Sequence, residues 1–294
     1  MTTALLYAAT VLIWGASWIG IAFQIAEVAP IQAVLYRFSG AAALIFLWLA
    51  LSGRLKPIPR RAHLICAATG LAIFAANYVL CYQAIALGLT SGVAAVIYSL
   101  LVVWNAANAA LIYGDRPGPG FARSAALGLV GIGCLFWEDL LAVAEGREAP
   151  VALLLCVGAV YCASLGNMGS RKLSSLGVEV LTANGWAMGY ASSALFLWCL
   201  AFERPFGFSL SAGFLVSFAL LTVFSTVVAF WLYFTLIKRI GAARAAYAFV
   251  AFPAVALAIS SVFEGYEWTP AHLAGVALIA IGNVSLLRGA RTAR

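Results

Sequence analysis

Apolar residues in this chain fall in long unbroken blocks, and polar, proline and charged residues collect in the short stretches between them. Marking the blocks gives ten helices, at about 4–25, 30–52, 63–87, 90–113, 121–138, 149–171, 176–201, 210–237, 241–264 and 269–288. Many reach the roughly 20 residues that a helix needs to cross hydrocarbon. The connections are too short for a soluble domain. The pattern predicts an all-α polytopic membrane protein with ten transmembrane helices.

Composition agrees: 65% of the 294 residues are hydrophobic and 9% charged, against about 25% charged in a soluble domain. The first apolar block lacks the basic flank of a secretory signal and a second span follows at once, so it reads as a retained helix. The net charge of +7 is an orientation signal. No stripe of Lys and Arg interleaved with aromatics suggests nucleic acid. Arg54, Lys56, Arg60 and Arg61 follow helix 2, while Arg116 and Arg123 lie between helices 4 and 5. Arg171 and Lys172 follow helix 6; Lys238, Arg239 and Arg244 lie between helices 8 and 9; Arg288, Arg291 and Arg294 end the chain. These are 14 of the 17 cations, and the positive-inside rule puts their side, with both termini, in the cytoplasm of a bacterial-type inner membrane. Arg147 and Arg204 lie on the other side, with Glu27, Glu138, Asp139, Glu145, Glu148, Glu203, Glu264 and Glu267.

The chain also repeats itself. At a shift of 151 residues, "YQAIALGLTSGVAAVIYSLLV" from Tyr82 lies over "YFTLIKRIGAARAAYAFVAFP" from Tyr233, Gly114 over Gly265 and Gly131 over Gly282. "WGAS" (14–17) lies over "YCAS" (161–164) at a shift of 147, and "FLW" (46–48) over "FLW" (196–198) at 150. Residues 1–138 and 149–294 are thus expected to be two five-helix units. An odd number of spans inverts the second relative to the first, the arrangement by which many secondary transporters build two alternately open faces around one midplane site.

"LIWGASW" (12–18), "LYRFSGAAAL" (35–44), "AALGLVGIG" (125–133) and "FVAFPAVALAISSVFEGYEWTPAHLAGVALIAIGNV" (249–284) resemble the drug/metabolite transporter superfamily in its ten-helix EamA-like form, over essentially the whole chain. The nearest branch by resemblance is that of aromatic and neutral amino-acid exporters. The resemblance implies export or exchange of small metabolites. One departure is that Val102 stands where the repeat of Pro253 would be. Proline removes a helix hydrogen bond, so Pro253 is expected to be a hinge that bends helix 9, with helix 4 the straighter of the two.

Arg37 lies inside helix 2, where a charge at mid-depth costs roughly 2.5–3.5 kcal/mol on insertion scales. Two readings stay open. The arginine either satisfies helix ends or headgroups structurally, or it faces a wet cavity, pairing with an acid such as Glu27 or drawing in a carboxylate substrate. No acid lies in the middle of any span. Helix 1 therefore lacks the glutamate through which small multidrug exporters of the superfamily couple to protons, and coupling without protons is expected. His63 and His272 sit at opposite span ends and the three lysines at cytoplasmic ends, so no base stands beside a nucleophile and no enzyme is implied. Cys66, Cys81, Cys134, Cys156, Cys162 and Cys199 lie in spans without ligand pairs and read as small core residues; no metal, cofactor or disulfide is expected.

A cavity between the halves should be lined by repeat-matched aromatics. Three pairs stand out: Trp14 with Tyr161, Tyr82 with Tyr233, and Tyr98 with Phe249. Asn77 and Tyr78 lie one turn from Tyr82, Asn105 and Asn108 follow Tyr98, and Asn184, Trp186 and Trp231 extend the set. The alternative for each is an interfacial belt or a helix-to-helix tie. Aromatic faces with amides suit a neutral or zwitterionic solute with an apolar body. Helices 5 and 10, rich in small residues, read as a brace or as a weak dimer contact with a second copy. The expected function is export of amino acids, aromatic and large neutral ones included, with lipid and the solute as partners; a broad drug or metabolite exporter is the alternative.

Overall fold

A computed structural model describes residues 1–115, 120–135, 149–202, 206–240 and 248–292. Arg116, Arg147, Arg204, Arg244 and Arg294 lie outside the described residues, as do Glu138, Asp139, Glu145, Glu148 and Glu203. The chain is all-α. Helix α1 is Thr3–Ile25 and α2 is Pro30–Leu51. Helix α3 joins Arg60–Gly70 and Asn77–Ala86 through a π-helical segment at Leu71–Ala76. Helix α4 comprises Ser91–Tyr98 and Leu101–Tyr113. Helices α5 (Phe121–Leu135), α6 (Ala149–Ser175) and α7 (Val180–Phe202) follow. Helix α8 joins Ala212–Ala219 and Ala229–Ile240 through a second π segment, Leu220–Val228. Helices α9 (Ala248–Phe263) and α10 (Pro270–Thr292) complete the bundle.

Seven helices among the described residues are long and apolar enough to span a membrane, and the apolar parts of α5, α9 and α10 are shorter. Large apolar side chains such as Leu47, Leu111, Leu154 and Val262 are exposed on the outside, as lipid-facing positions require. Phe38, Ile97, Met188 and Leu257 are fully buried.

The packing is consistent with two repeats. The π segments occupy matching places, since residues 71–76 map onto 222–227 at the 151 shift. Helices α5 and α10 cross where small residues let the backbones meet: a Cβ on Gly131 would lie 2.8 Å from the Gly275 carbonyl oxygen, and one on Gly282 would lie 3.1 Å from that of Ser124. Gly131 maps onto Gly282 and Ser124 onto Gly275 at the same shift, so the two contacts are related by an approximate two-fold. The small faces of these helices meet each other within one chain. Elsewhere a Cβ on Gly70 of α3 would overlap the Ala187 carbonyl oxygen of α7.

Among the described residues it is α4, not α9, whose regular helical bonding is interrupted. Helix α9 runs through Pro253 without interruption from Ala248 to Phe263. Helix α4 breaks at Ser99 and Leu100, where the backbone bonds shorten to three residues, Ser99 N–H to Val96 O and Leu100 N–H to Ile97 O, both 3.0 Å. At this point Asn283 Nδ2 of α10 donates to the Ser99 carbonyl at 2.9 Å, while Val102 N–H reaches that carbonyl at 3.5 Å and Val103 N–H turns to Leu100 O at 2.9 Å.

Candidate solute-binding cavity

A cavity of about 770 Å³ runs between the two halves of the chain. Its inner wall holds Trp14 and Trp18 of α1, Arg37 of α2, Asn77 and Tyr78 of α3, and Tyr98 of α4. Helices α8 and α9 add Ser225, Phe230, Tyr233, Phe249 and Phe252, and Asn105, Asn167 and Asn184 supply amides. It extends to Arg171 and Ser174 at the end of α6 and Val180 at the start of α7.

Trp14 and Trp18 are one turn apart on α1 and so share a face. Trp18 meets the Tyr98 ring edge-on at 4.7 Å, and Trp14 lies 5.4 Å from Phe249. The Tyr98 hydroxyl donates to Asn77 Oδ1 at 2.5 Å, while Asn77 Nδ2 donates to Ile73 O at 2.9 Å, inside the π segment of α3. Asn167 Nδ2 donates to Asn105 Oδ1 at 3.2 Å, joining α6 to α4 across the wall.

Arg37 is 3% exposed and held by neutral oxygens. Its Nε donates to Thr226 Oγ1 at 3.2 Å, Nη1 to the Tyr82 hydroxyl at 3.2 Å and Nη2 to Ser225 Oγ at 3.3 Å. The guanidinium carbon sits 4.8 Å from the centre of the Tyr78 ring. Two of these acceptors belong to the π segment of α8, where the Thr226 hydroxyl donates to Leu221 O at 2.8 Å and the backbone carbonyl of Ser225 accepts from Trp14 Nε1 at 3.2 Å. Tyr82 donates onward to Gln24 Oε1 at 2.9 Å.

Arg37 thus ties α2 to α3 and α8 through side-chain hydroxyls, not through helix-end carbonyls, and it also lines the cavity. The expected pairing with Glu27 is absent. Glu27 instead accepts from Ser209 and, at 2.5 Å, from Ser211 Oγ, where Ser211 caps the start of α8. Hydrogen bonds from Ser209 and then Ser211 hold its carboxyl below the ordinary carboxylate value.

The comparisons with known proteins decide the family. The EamA-like transporter family matches residues 1–137 and 150–288. The chain belongs to that family. Its members are transporters of small molecules and metabolites, not enzymes, and among the described residues no His, Cys, Asp and Glu cluster could hold a metal. A crystal structure described only as that of a protein is similar at TM-score 0.66 and 17% identity, over 98% of this chain and 98% of the other; that likeness shows the fold. No curated protein matches the chain.

In this EamA-like chain, nine of the fourteen candidate lining residues face the cavity: Trp14, Arg37, Asn77, Tyr78, Tyr98, Asn105, Asn184, Tyr233 and Phe249. Tyr82 does not, because it is fully buried behind Arg37. Tyr161 is 39% exposed and packs on Trp104 at 5.1 Å; Ala163, two residues on, takes the cavity position. Trp231 is 60% exposed on the outside, with its neighbour Phe230 facing in. Trp186 packs 4.6 Å from His63 between α3 and α7. For Tyr161, Trp186 and Trp231 the expected residue lies one or two positions from a lining one, a turn of about 100–200° around the helix. Asn108 is a tie, donating to Ser164 Oγ of α6 at 2.9 Å.

Trp18, Asn167, Arg171, Ser225 and Phe252 also line the cavity without being singled out by the sequence pattern. For Trp18 a signal exists, its place one turn after Trp14. Arg171 is drawn to the wall by Asp115, which accepts from its Nη1 at 2.5 Å, and it lies over the Tyr113 ring at 4.3 Å.

Opposite Arg171, two carboxylates fasten helix starts. Glu264 accepts from Ser91 N at 3.0 Å, Ser91 Oγ at 2.6 Å and Ser260 Oγ at 2.6 Å, joining the end of α9 to the first turn of α4. Glu27 does the same for α8. Neither these carboxylates nor their serine partners line the cavity.

Proposed function

We propose that this chain moves amino acids, aromatic and large neutral ones included, across a bacterial-type inner membrane by alternating access and without proton coupling. The observation that carries the reading is the lining itself: aromatic faces, four asparagines and two arginines drawn from both halves, with no Asp, Glu or His among the described lining residues. A cavity of about 770 Å³ lies within the roughly 300–1,000 Å³ of small-ligand sites. A proton carrier within the pathway needs a group that titrates near working pH, and this lining offers none.

In this proposal all ten helices cross the membrane with both termini cytoplasmic. The cavity then opens inward, because it reaches Arg171 at the cation-rich end, while Glu27 and Glu264 fasten the outer end. The protein acts as a monomer, the small faces of α5 and α10 being used on each other. Purified protein in liposomes, with equal pH on both sides, tests the reading. Counterflow of labelled phenylalanine that follows the amino-acid gradient and ignores a protonophore is expected. Uptake seen only with an imposed pH gradient, or no amino-acid uptake at all, contradicts it.

A further inference from the structure

Resting on the reading of this cavity as the solute site, we propose that it selects its solute by a carboxylate and not by an amino group. Arg37 is the anchor, and the solute class is an organic monoanion with an aromatic or apolar body. The ammonium group of an amino acid is tolerated rather than recognised.

A guanidinium presents five N–H donors, and Arg37 uses three of them on neutral hydroxyls. The described acids with bonded partners are engaged elsewhere: Glu27 with Ser209 and Ser211, Asp115 with Arg171, Glu179 with Arg54, and Glu264 with Ser91 and Ser260. Among the described residues, then, a nearly buried cation stands on a cavity wall with no carboxylate beside it. Buried charges are ordinarily paired, and a carboxylate accepting the remaining N–H groups forms charge-assisted bonds about twice as strong as neutral ones.

The same wall offers an ammonium little. Among its described residues the wall holds no carboxylate. Asn77 Oδ1 already receives the Tyr98 hydroxyl, and Asn105 Oδ1 receives Asn167. The Trp18 ring is flanked by Tyr98 at 4.7 Å and Phe252 at 6.2 Å, which restricts its use as a cation platform. Apolar surface remains near Trp14 and Phe249, suited to the body of the solute.

The test compares three probes as competitors of labelled phenylalanine counterflow: unlabelled phenylalanine, 3-phenylpropanoate, which lacks the amine, and phenethylamine, which lacks the carboxylate. The expected result is that 3-phenylpropanoate competes within about threefold of phenylalanine while phenethylamine is at least about tenfold weaker. Arg37→Gln should weaken 3-phenylpropanoate by about tenfold or more and leave phenethylamine unchanged, with Arg37→Lys in between. Equal competition by phenethylamine overturns the inference and leaves the transport reading standing. If phenylalanine itself is not carried, tryptophan-fluorescence titration of the wild-type protein with 3-phenylpropanoate decides: binding supports the anchor and no binding overturns it. Should Arg37→Gln fail to fold, the order of the three probes on wild type and Arg37→Lys distinguishes the same two outcomes.

Discussion

Asn283 of α10 donates to the carbonyl of Ser99 in α4 at 2.9 Å, at the point where α4 loses its regular helical bonding. The bond joins the bracing pair α5 and α10 to a helix that lines the cavity one residue earlier, at Tyr98. Asn283→Ala removes the shorter of two bonds to a buried carbonyl, leaving Val102 N–H at 3.5 Å, a loss of about 0.5–1.5 kcal/mol. We expect a lower thermal midpoint in detergent for Asn283→Ala, and an unchanged one would show that the break needs no side-chain support.

Close backbone approach makes a second prediction. Gly70→Ala drives a methyl into the Ala187 carbonyl oxygen, and overpacking of that kind costs about 1–3 kcal/mol or more. Gly133 is the control, since nothing lies within 4 Å of its would-be Cβ and alanine is the better helix former there by about 0.5–1 kcal/mol. Thermal unfolding should separate the two variants in opposite directions.

Asp115 and Arg171 test the charge at the cavity end. The hydrogen bond from Arg171 holds the Asp115 carboxyl below its ordinary value of 3.8. A carboxylate with a lowered pKa contributes its contact above that ordinary value and loses it as pH falls through the lower one. The contact is therefore present at neutral pH and lost only in acid below 3.8. Asp115→Asn removes the negative partner, so anionic solutes should compete better at low ionic strength, with the gain disappearing in high salt. Competition that is insensitive to both changes would separate Arg171 from the solute.

Glu264 fastens the first turn of α4 through Ser91. Glu264→Ala should speed hydrogen exchange at the amides of Ser91 to Val93, whereas Glu27→Ala should act at the start of α8. Unchanged exchange at Ser91 in Glu264→Ala would mean that the neighbouring Thr90 cap suffices.

Much of this architecture is legible in the sequence, and its gaps have physical causes. Long apolar blocks mark where helices lie because hydrocarbon demands them. The 151-residue shift is carried by glycines such as Gly131 and Gly282, whose contacts need small residues. Arg37 and Tyr98 stand out because polar groups deep in a span require partners. The facing of a helix is another matter. In α7 apolar residues point in all directions, so Asn184 and Trp186 look equally eligible, although they point to different sides. The π segments leave no trace either, because Leu71–Ala76 and Leu220–Val228 read as ordinary apolar helix. Local bonding is also hard to read: helical bonding continues past Pro253, while it is interrupted at Ser99, whose carbonyl accepts from a partner 184 residues away.

If solute passes through the cavity between the two halves, filling that cavity must stop transport. Ala106 lines it on α4. A protein with Ala106→Cys as its sole cysteine, reconstituted and treated with a bulky, reversible thiol reagent, puts the question most directly. Modification should stop amino-acid counterflow, bound solute should slow the modification, and a reductant should restore transport. Full transport by protein whose Ala106→Cys site is shown to be completely modified would contradict passage through this cavity.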